Sequence, residues 1–335
     1  MIARYEFAGL PGGGRIERYR ITNSSGEFIE LLDYGAALQS ICVRDRDGRI
    51  EDILLGTDDG GQILDYPFLG ATVGRCANRV AEGRFQIDGH TFQPETDRQG
   101  RCIHSGSANY AHRRFNAECQ GEDTVVFTLE DDGRGGFECA AHVKVSYSFG
   151  DDGCIRMRYE MRAEGDTIFN PTNHSYFNLG AGDVREQTLM VNAERKAACG
   201  EDKIPRGGSE LVAGTAADFR RRRVIRENMG SLRGYDEYYL LREDRREAAE
   251  LVCGANGRRM RLYTDLPCLV LCMFPVRKPI AGKGGAAYCG YPFVCLEPGY
   301  VPNAVNCPEY ASPVFRKGEV FRAEVRYCFD AVMTL

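Results

Sequence analysis

The chain has 335 residues, 43% of them hydrophobic, and a formal charge of −5 with its signs scattered along the sequence. That length suits one large β domain or two average domains. No apolar run reaches the roughly 18 residues of a membrane span, and the scattered charge argues against a nucleic-acid partner.

Fourteen cysteines and no tryptophan are the compositional oddities. No Cys-x-x-Cys occurs, and no Cys/His pair has the spacing of a zinc site. Several cysteines stand where a small core residue belongs, as in Ile41-Cys42-Val43 and Val294-Cys295-Leu296. The expectation is reduced thiols in a cytoplasmic protein. The opening Met1-Ile-Ala-Arg-Tyr-Glu-Phe lacks the basic-then-apolar order of a secretion signal.

In chain order the pattern is mostly of period two. Strands are expected at 16–22 and 36–44, and one helical turn at 76–82. Arg84-Phe-Gln-Ile-Asp88 and Gly89-His-Thr-Phe92 form a tight hairpin with Asp88-Gly89 at its turn. After a strand at 124–129, apolar residues alternate through Val143–Phe149. They resume after Gly150-Asp-Asp-Gly153 in Ile155–Met161, a hairpin with one apolar and one wet face.

A short helix is expected near 220–229. It includes the basic run Arg220–Arg223, which reads as a solvated face beside Asp218 and Glu227. Glu250–Cys253 and Arg259–Tyr263 flank Gly254-Ala-Asn-Gly257 as a third hairpin, and strands follow at 268–274, 291–297 and 319–329. Gly282-Lys-Gly-Gly285 marks a flexible loop. Many strands, frequent turns and few short helices predict an all-β fold, a large antiparallel β-sandwich, as a single domain over 1–335.

Five histidines narrow the search for chemistry. His90 and His112 fall in surface turns, and His142 heads a strand. His104 leaves Cys102-Ile103 for a glycine turn, a strand end with its ring free. His174 lies within Asn170-Pro-Thr-Asn-His-Ser-Tyr-Phe-Asn-Leu179, where Asn173, His174 and Tyr176 offer donors and acceptors for a polyol.

Far downstream the apolar Phe293–Leu296 runs into Glu297. A carboxylate there is partly desolvated, which raises its pKa and suits a base near neutrality, unless it points to solvent beyond the strand. Gly74-Arg-Cys-Ala-Asn-Arg79 offers two arginines and an amide, either for sugar oxygens or for a surface pairing with Glu82. Asp236, among Tyr235, Tyr238 and Tyr239, either accepts from hydroxyls or caps a turn.

Together and in this order the segments resemble the aldose 1-epimerase (galactose mutarotase) family over nearly the whole length. The matching pieces are Tyr34-Gly-Ala, Gly74–Arg79 with Gly83, Ile103-His104-Ser-Gly106 and Asn170–Leu179. They continue with Ile204-Pro205, Thr215–Arg220, Gly234-Tyr-Asp236, Leu296-Glu297-Pro, Pro302–Asn306 and Arg316–Glu319.

The resemblance implies the mutarotase-type sandwich, with His174 as general acid on the ring oxygen and Glu297 as general base on the anomeric hydroxyl. His104 would assist, and Asn78, Arg79, His104, Tyr176 and Asp236 would hold a free aldose such as galactose or glucose. It implies no metal and no organic cofactor, and a monomer or homodimer with a small-molecule substrate. Alternatives are a non-catalytic sugar binder, an enzyme for a different or modified sugar, and a glycoside-cleaving enzyme with Asp236 as second carboxylate. The departures are Pro298-Gly299 and Val270 where glutamines are usual, Ser105 where glycine is usual, and Phe115 where tryptophan is common.

Overall fold

The computed structural model describes residues 1–10, 14–180, 182–242 and 247–333. Its framework is a nine-stranded antiparallel sheet. The order is Asn116–Gln120, Thr124–Asp131, Ala141–Phe149, Cys154–Ala163, Val320–Ala331, Arg258–Thr264, Glu247–Val252, Thr188–Val191 and Arg223–Val224. The hairpin at its centre keeps the register that the alternation dictates. Val143 pairs with Met161, Val145 with Tyr159 and Tyr147 with Met157, while Lys144 with Glu160 and Ser146 with Arg158 share the other face.

Two five-stranded sheets supply the rest of the sandwich. One is a meander of Ile2–Gly9, Arg15–Thr22, Phe28–Leu32, Ala37–Arg44 and Ile50–Asp52. The other runs Pro205–Leu211, Arg195–Cys199, Tyr235–Leu240, Cys268–Met273 and Cys295–Gly299. A single apolar cluster joins all three, with Ile21, Ile29 and Leu31 from the first, Leu269, Leu271 and Leu296 from the second, and Tyr147, Tyr159 and Tyr327 from the large sheet. Each such side chain contributes about 1.5–3 kcal/mol on full burial. The expected all-β sandwich with few short helices is therefore what forms, and no described helix is long and apolar enough to cross a membrane.

Four expectations need correction. The helix near 220–229 shrinks to Ile225–Met229, because Arg223–Val224 form a strand and Arg222 reaches across to Glu250. The turn at 76–82 is only Ala81–Gly83, since Arg79–Val80 pair with Cys102–Ile103. The Gly282–Gly285 loop is a turn between Val276–Ala281 and Ala287–Gly290, pinned by Lys283 Nζ donating to Gln39 O and Asp52, each at 2.6 Å. The cysteines are not all thiols. Cys154 and Cys328 face each other at the start of a ladder and form a disulfide, and the other twelve are free.

Candidate active site

The site is built on one face of the sheet that carries Glu297. In Cys268–Met273, Leu269, Leu271 and Met273 turn into the core, which leaves Cys268, Val270 and Cys272 on the opposite face. Register then aligns two rows across three strands. Tyr238, Val270 and Glu297 form one, and Asp236, Cys272 and Cys295 the other. Glu297 is thus mid-strand and buried, with 3% of its side chain exposed, rather than pointing to solvent past a strand end.

Over this floor runs the segment 170–179. Phe177 and Leu179 enter the core, so the period of two sends His174 and Tyr176 the other way. The segment is clamped to the strand of Glu297 at three points. Thr172 Oγ1 donates to Pro298 O at 2.8 Å, Tyr300 N to Asn170 Oδ1 at 2.7 Å, and Phe177 exchanges backbone bonds with Val294. His174 is held by its own N–H to Ala71 O and its carbonyl to Gly70 N–H. The result sets His174 Nε2 3.6 Å from Glu297 Oε1.

Gly299 belongs to the same clamp. A Cβ at that position would lie 2.8 Å from Asn170 Oδ1, so the glutamine usual there in the resembled family would have to displace the Asn170 amide from Tyr300 N–H. Ser105 adopts a left-handed φ of 62°, normally glycine's. Its buried hydroxyl accepts from Cys76 N–H and donates to Cys76 O, which ties the His104 turn to the 74–79 loop.

The third wall is that loop. Arg79 Nη2 meets Asp236 at 3.0 Å, and its Nη1 donates to Asn78 Oδ1 at 3.0 Å and Tyr238 Oη at 2.7 Å. Asn78 N–H donates to His104 Nδ1 at 3.2 Å, so neutral His104 carries its proton on Nε2. Its ring is therefore not free, as a strand end suggests, but fixed in one tautomer. Phe68 packs on both histidines, 5.0 Å from the His104 ring and stacked on His174 at 5.9 Å, the two imidazoles themselves being 5.7 Å apart, while Tyr176 stacks on His174 at 4.8 Å. Beside them lies an apolar cavity of about 290 Å³ lined by Leu55, Pro67, Phe68, Tyr176, Phe274 and Phe293. Two larger concavities, of about 700 and 650 Å³, contain neither His174 nor Glu297.

Burial dominates the electrostatics. It raises Glu297 to about 8, with Asp236 pushing the same way and Arg79 opposing. It lowers His174 to about 4, and it lowers His104 with help from His174 and Arg79. Among the described residues His174 Nδ1 and Arg79 Nε are buried without partners. Such vacancies suit a ligand with several hydroxyls.

The remaining sequence-derived candidates divide. Asn78, Arg79, His104, His174, Tyr176, Asp236 and Glu297 gather at one place. Asn173 does not take part, since it is fully buried with Nδ2 donating to Gly70 O and Tyr147 Oη. Arg75 also leaves the site, and neither arginine pairs with Glu82: Arg75 is bound to Asp131, away from the floor. Phe115 is a core residue.

Sequence reasoning missed Tyr238 and Phe68. Tyr238 was legible as the site-side neighbour of Asp236 at a spacing of two, and Phe68 only as an aromatic before Gly70. His174, Cys295 and Glu297 also lie close enough for a common metal ion.

A family model described as aldose 1-epimerase matches residues 17–328. Galactose mutarotase of Rattus norvegicus is 29% identical over 98% of both chains, and aldose 1-epimerase of Escherichia coli K12 is 30% identical over 96% of this chain and 97% of its own. Among solved structures, galactose 1-epimerase from Lactobacillus acidophilus NCFM superposes with a TM-score of 0.83 at 25% identity over 99% of each chain. An aldose epimerase homologue from C. elegans gives 0.85 at 22% identity over 93% of this chain and 98% of its own, a likeness of fold.

Proposed function

The chain belongs to the aldose 1-epimerase family of carbohydrate isomerases, and we propose that it interconverts the α and β anomers of a free hexose, galactose or glucose. The observation that carries the reading is the buried approach of His174 Nε2 to Glu297 Oε1 at 3.6 Å, with unsatisfied polar atoms around it. His174 protonates the ring oxygen while Glu297 takes the proton from the anomeric hydroxyl. The C1–O5 bond breaks, C1 becomes the aldehyde carbon, and rotation about C1–C2 turns its other face to O5. The two groups then return their protons in the reverse sense.

Burial favours the opening step. The pair enters it charged, as imidazolium and carboxylate, and leaves it uncharged. The uncharged form is the one that both shifts favour, with Glu297 raised to about 8 and His174 lowered to about 4.

Arg79, fixed by Asn78, Asp236 and Tyr238, offers donors to hydroxyls, and Asp236 offers an acceptor. His104, as an Nε2–H donor, assists at the ring oxygen. Tyr176 and Phe68 supply the stacking wall that tryptophan often provides. Val270, apolar and level with Glu297, supports a second reading in which the preferred sugar lacks or masks one hydroxyl. The twelve free cysteines support a reducing, cytoplasmic setting, against which the Cys154–Cys328 bond is the one contrary feature.

Polarimetry on freshly dissolved α-D-galactose and α-D-glucose tests the proposal, beside the His174→Asn variant. Faster relaxation to the same final rotation, lost in the variant, is the expected result. Relaxation at the spontaneous rate for both sugars would remove galactose and glucose and leave a different sugar or a non-catalytic binder.

A further inference from the structure

The proton transfers leave two side chains of the floor without a task. Cys272 and Cys295 are direct partners on adjacent antiparallel strands, on the site face, and pack in one small apolar cluster with Phe293. Cys295 lies two residues before Glu297 and so shares its face. A His174 ring nitrogen, Cys295 Sγ and a Glu297 oxygen all lie within 4.8 Å of one another, and all three residues are buried.

Tetrahedral zinc holds nitrogen, oxygen and sulfur at about 2.0–2.3 Å, which separates its ligands by roughly 3.3–3.8 Å. The 3.6 Å between His174 and Glu297 already matches one edge of that tetrahedron. Closing the widest separation requires a contraction of about 1 Å, within the reach of side-chain rotation. Cys272, half-buried and cross-strand from Cys295, lies outside that three-residue group, and its side chain must turn toward the other three to serve as a fourth ligand.

We propose that His174, Cys295, Glu297 and Cys272 form a binding site for one zinc-class divalent cation, and that the ion switches the enzyme off by occupying its acid and base together. The binding rests on geometry alone, and the loss of turnover rests on the mutarotase reading. On binding, the two thiols and the carboxyl release their protons to buffer, and His174 lends a ring lone pair, so no electron is transferred. Burial that opposes ionisation of Glu297 and Cys295 is offset by the cation, and Arg79 beside Cys272 tempers the resulting negative charge. Magnesium and calcium prefer all-oxygen sets and do not compete.

The test uses the full chain freed of metal with a chelator, then titrated with zinc or cobalt. Expected are one zinc per chain, inhibition of mutarotation that EDTA reverses, no effect of magnesium, and a near-ultraviolet thiolate-to-cobalt charge-transfer band. Cys272→Ser and Cys295→Ser should each weaken that band and raise the zinc needed for half-inhibition by more than the roughly 100-fold typical of outer-shell losses. The zinc response of each variant is read against that variant's own metal-free rate.

Absence of the cobalt band overturns the proposal. So does zinc binding unchanged in the Cys272→Ser variant but lost in Cys289→Ser or Cys119→Ser, the exposed thiols. If Cys295→Ser does not fold, Cys272→Ser and the two surface controls still decide. If no sugar turns over, the band and the stoichiometry answer the binding question separately.

Discussion

Arg75 and Arg79 are four residues apart and sit in two buried polar clusters of opposite character. Arg75 is saturated. Its Nε and Nη2 bind Asp131 at 2.9 and 2.7 Å, Nη1 donates to Thr167, Nη2 also donates to Cys139 O, and Tyr110 Oη completes the Asp131 carboxylate. Around Arg79 the bonds stop short. Its Nε has no partner, nor does His174 Nδ1. A cluster that serves folding satisfies every donor, because each buried vacancy costs about 1–3 kcal/mol. A cluster that serves a ligand leaves vacancies of the ligand's shape. The contrast separates two arginines that the sequence presents as a pair.

The sharpest way to break the comparison is to remove the acid or the base. His174→Asn and Glu297→Gln should each lower kcat by about 10²–10⁴, the usual effect of losing a positioned acid or base. The fold should survive, because neither side chain satisfies a buried partner. A rate within a few-fold of the parent, read by polarimetry on a folded variant, would take that residue out of the mechanism.

Arg75→Met should do the reverse. It strands Asp131 in the core, and breaking one side of a buried pair costs about 3–5 kcal/mol. Urea unfolding should show that loss, while the folded fraction turns over near the parent rate. A stable variant with poor kcat would assign Arg75 to the site after all.

The pH profile sharpens the ligand side of the contrast. The active pair holds one proton between His174 and Glu297. A second proton binds as pH falls below about 4, and the last one leaves as pH rises above about 8. These are properties of the pair rather than of either residue. Log kcat/KM should be level between the limbs and fall by about one unit per pH unit outside them. Glu297→Gln should abolish the basic limb. A basic limb that survives in that variant would mean another group sets it.

Much of this was legible because local alternation encodes it. The 143–161 hairpin formed in the expected register. Glu297 stood at odds with the apolar run before it, His174 stood in a run of hydrogen-bonding side chains, and both signals are visible without a structure. What stayed hidden depends on pairing across long sequence separations. Asp131 lies 56 residues from Arg75 and Thr167 lies 92 from it. Cys154 and Cys328 are 174 apart, and no spacing rule joins them. Asn173 looked like a sugar ligand because its neighbour is the catalytic candidate. The strand's period of two carries the pair to opposite sides, so proximity in sequence misled where parity would not have.

The smallest expected effect tests the point where the site has lost polarity. Val270 lies between Tyr238 and Glu297 in one cross-strand row and packs with Tyr238, Val301 and Ala304. Val270→Gln places a donor and an acceptor beside the sugar where now there is only hydrocarbon. One hydrogen bond to a hydroxyl is worth about 0.5–1.5 kcal/mol, so KM for a sugar presenting a hydroxyl there should fall by less than about tenfold. A sugar without that hydroxyl should bind worse, because the new amide is then buried unsatisfied. Comparing KM for galactose, glucose and their deoxy analogues in parent and variant locates the hydroxyl that Val270 faces. If all the sugars weaken together, the apolar row packs the strand of Glu297 and reads no part of the ligand.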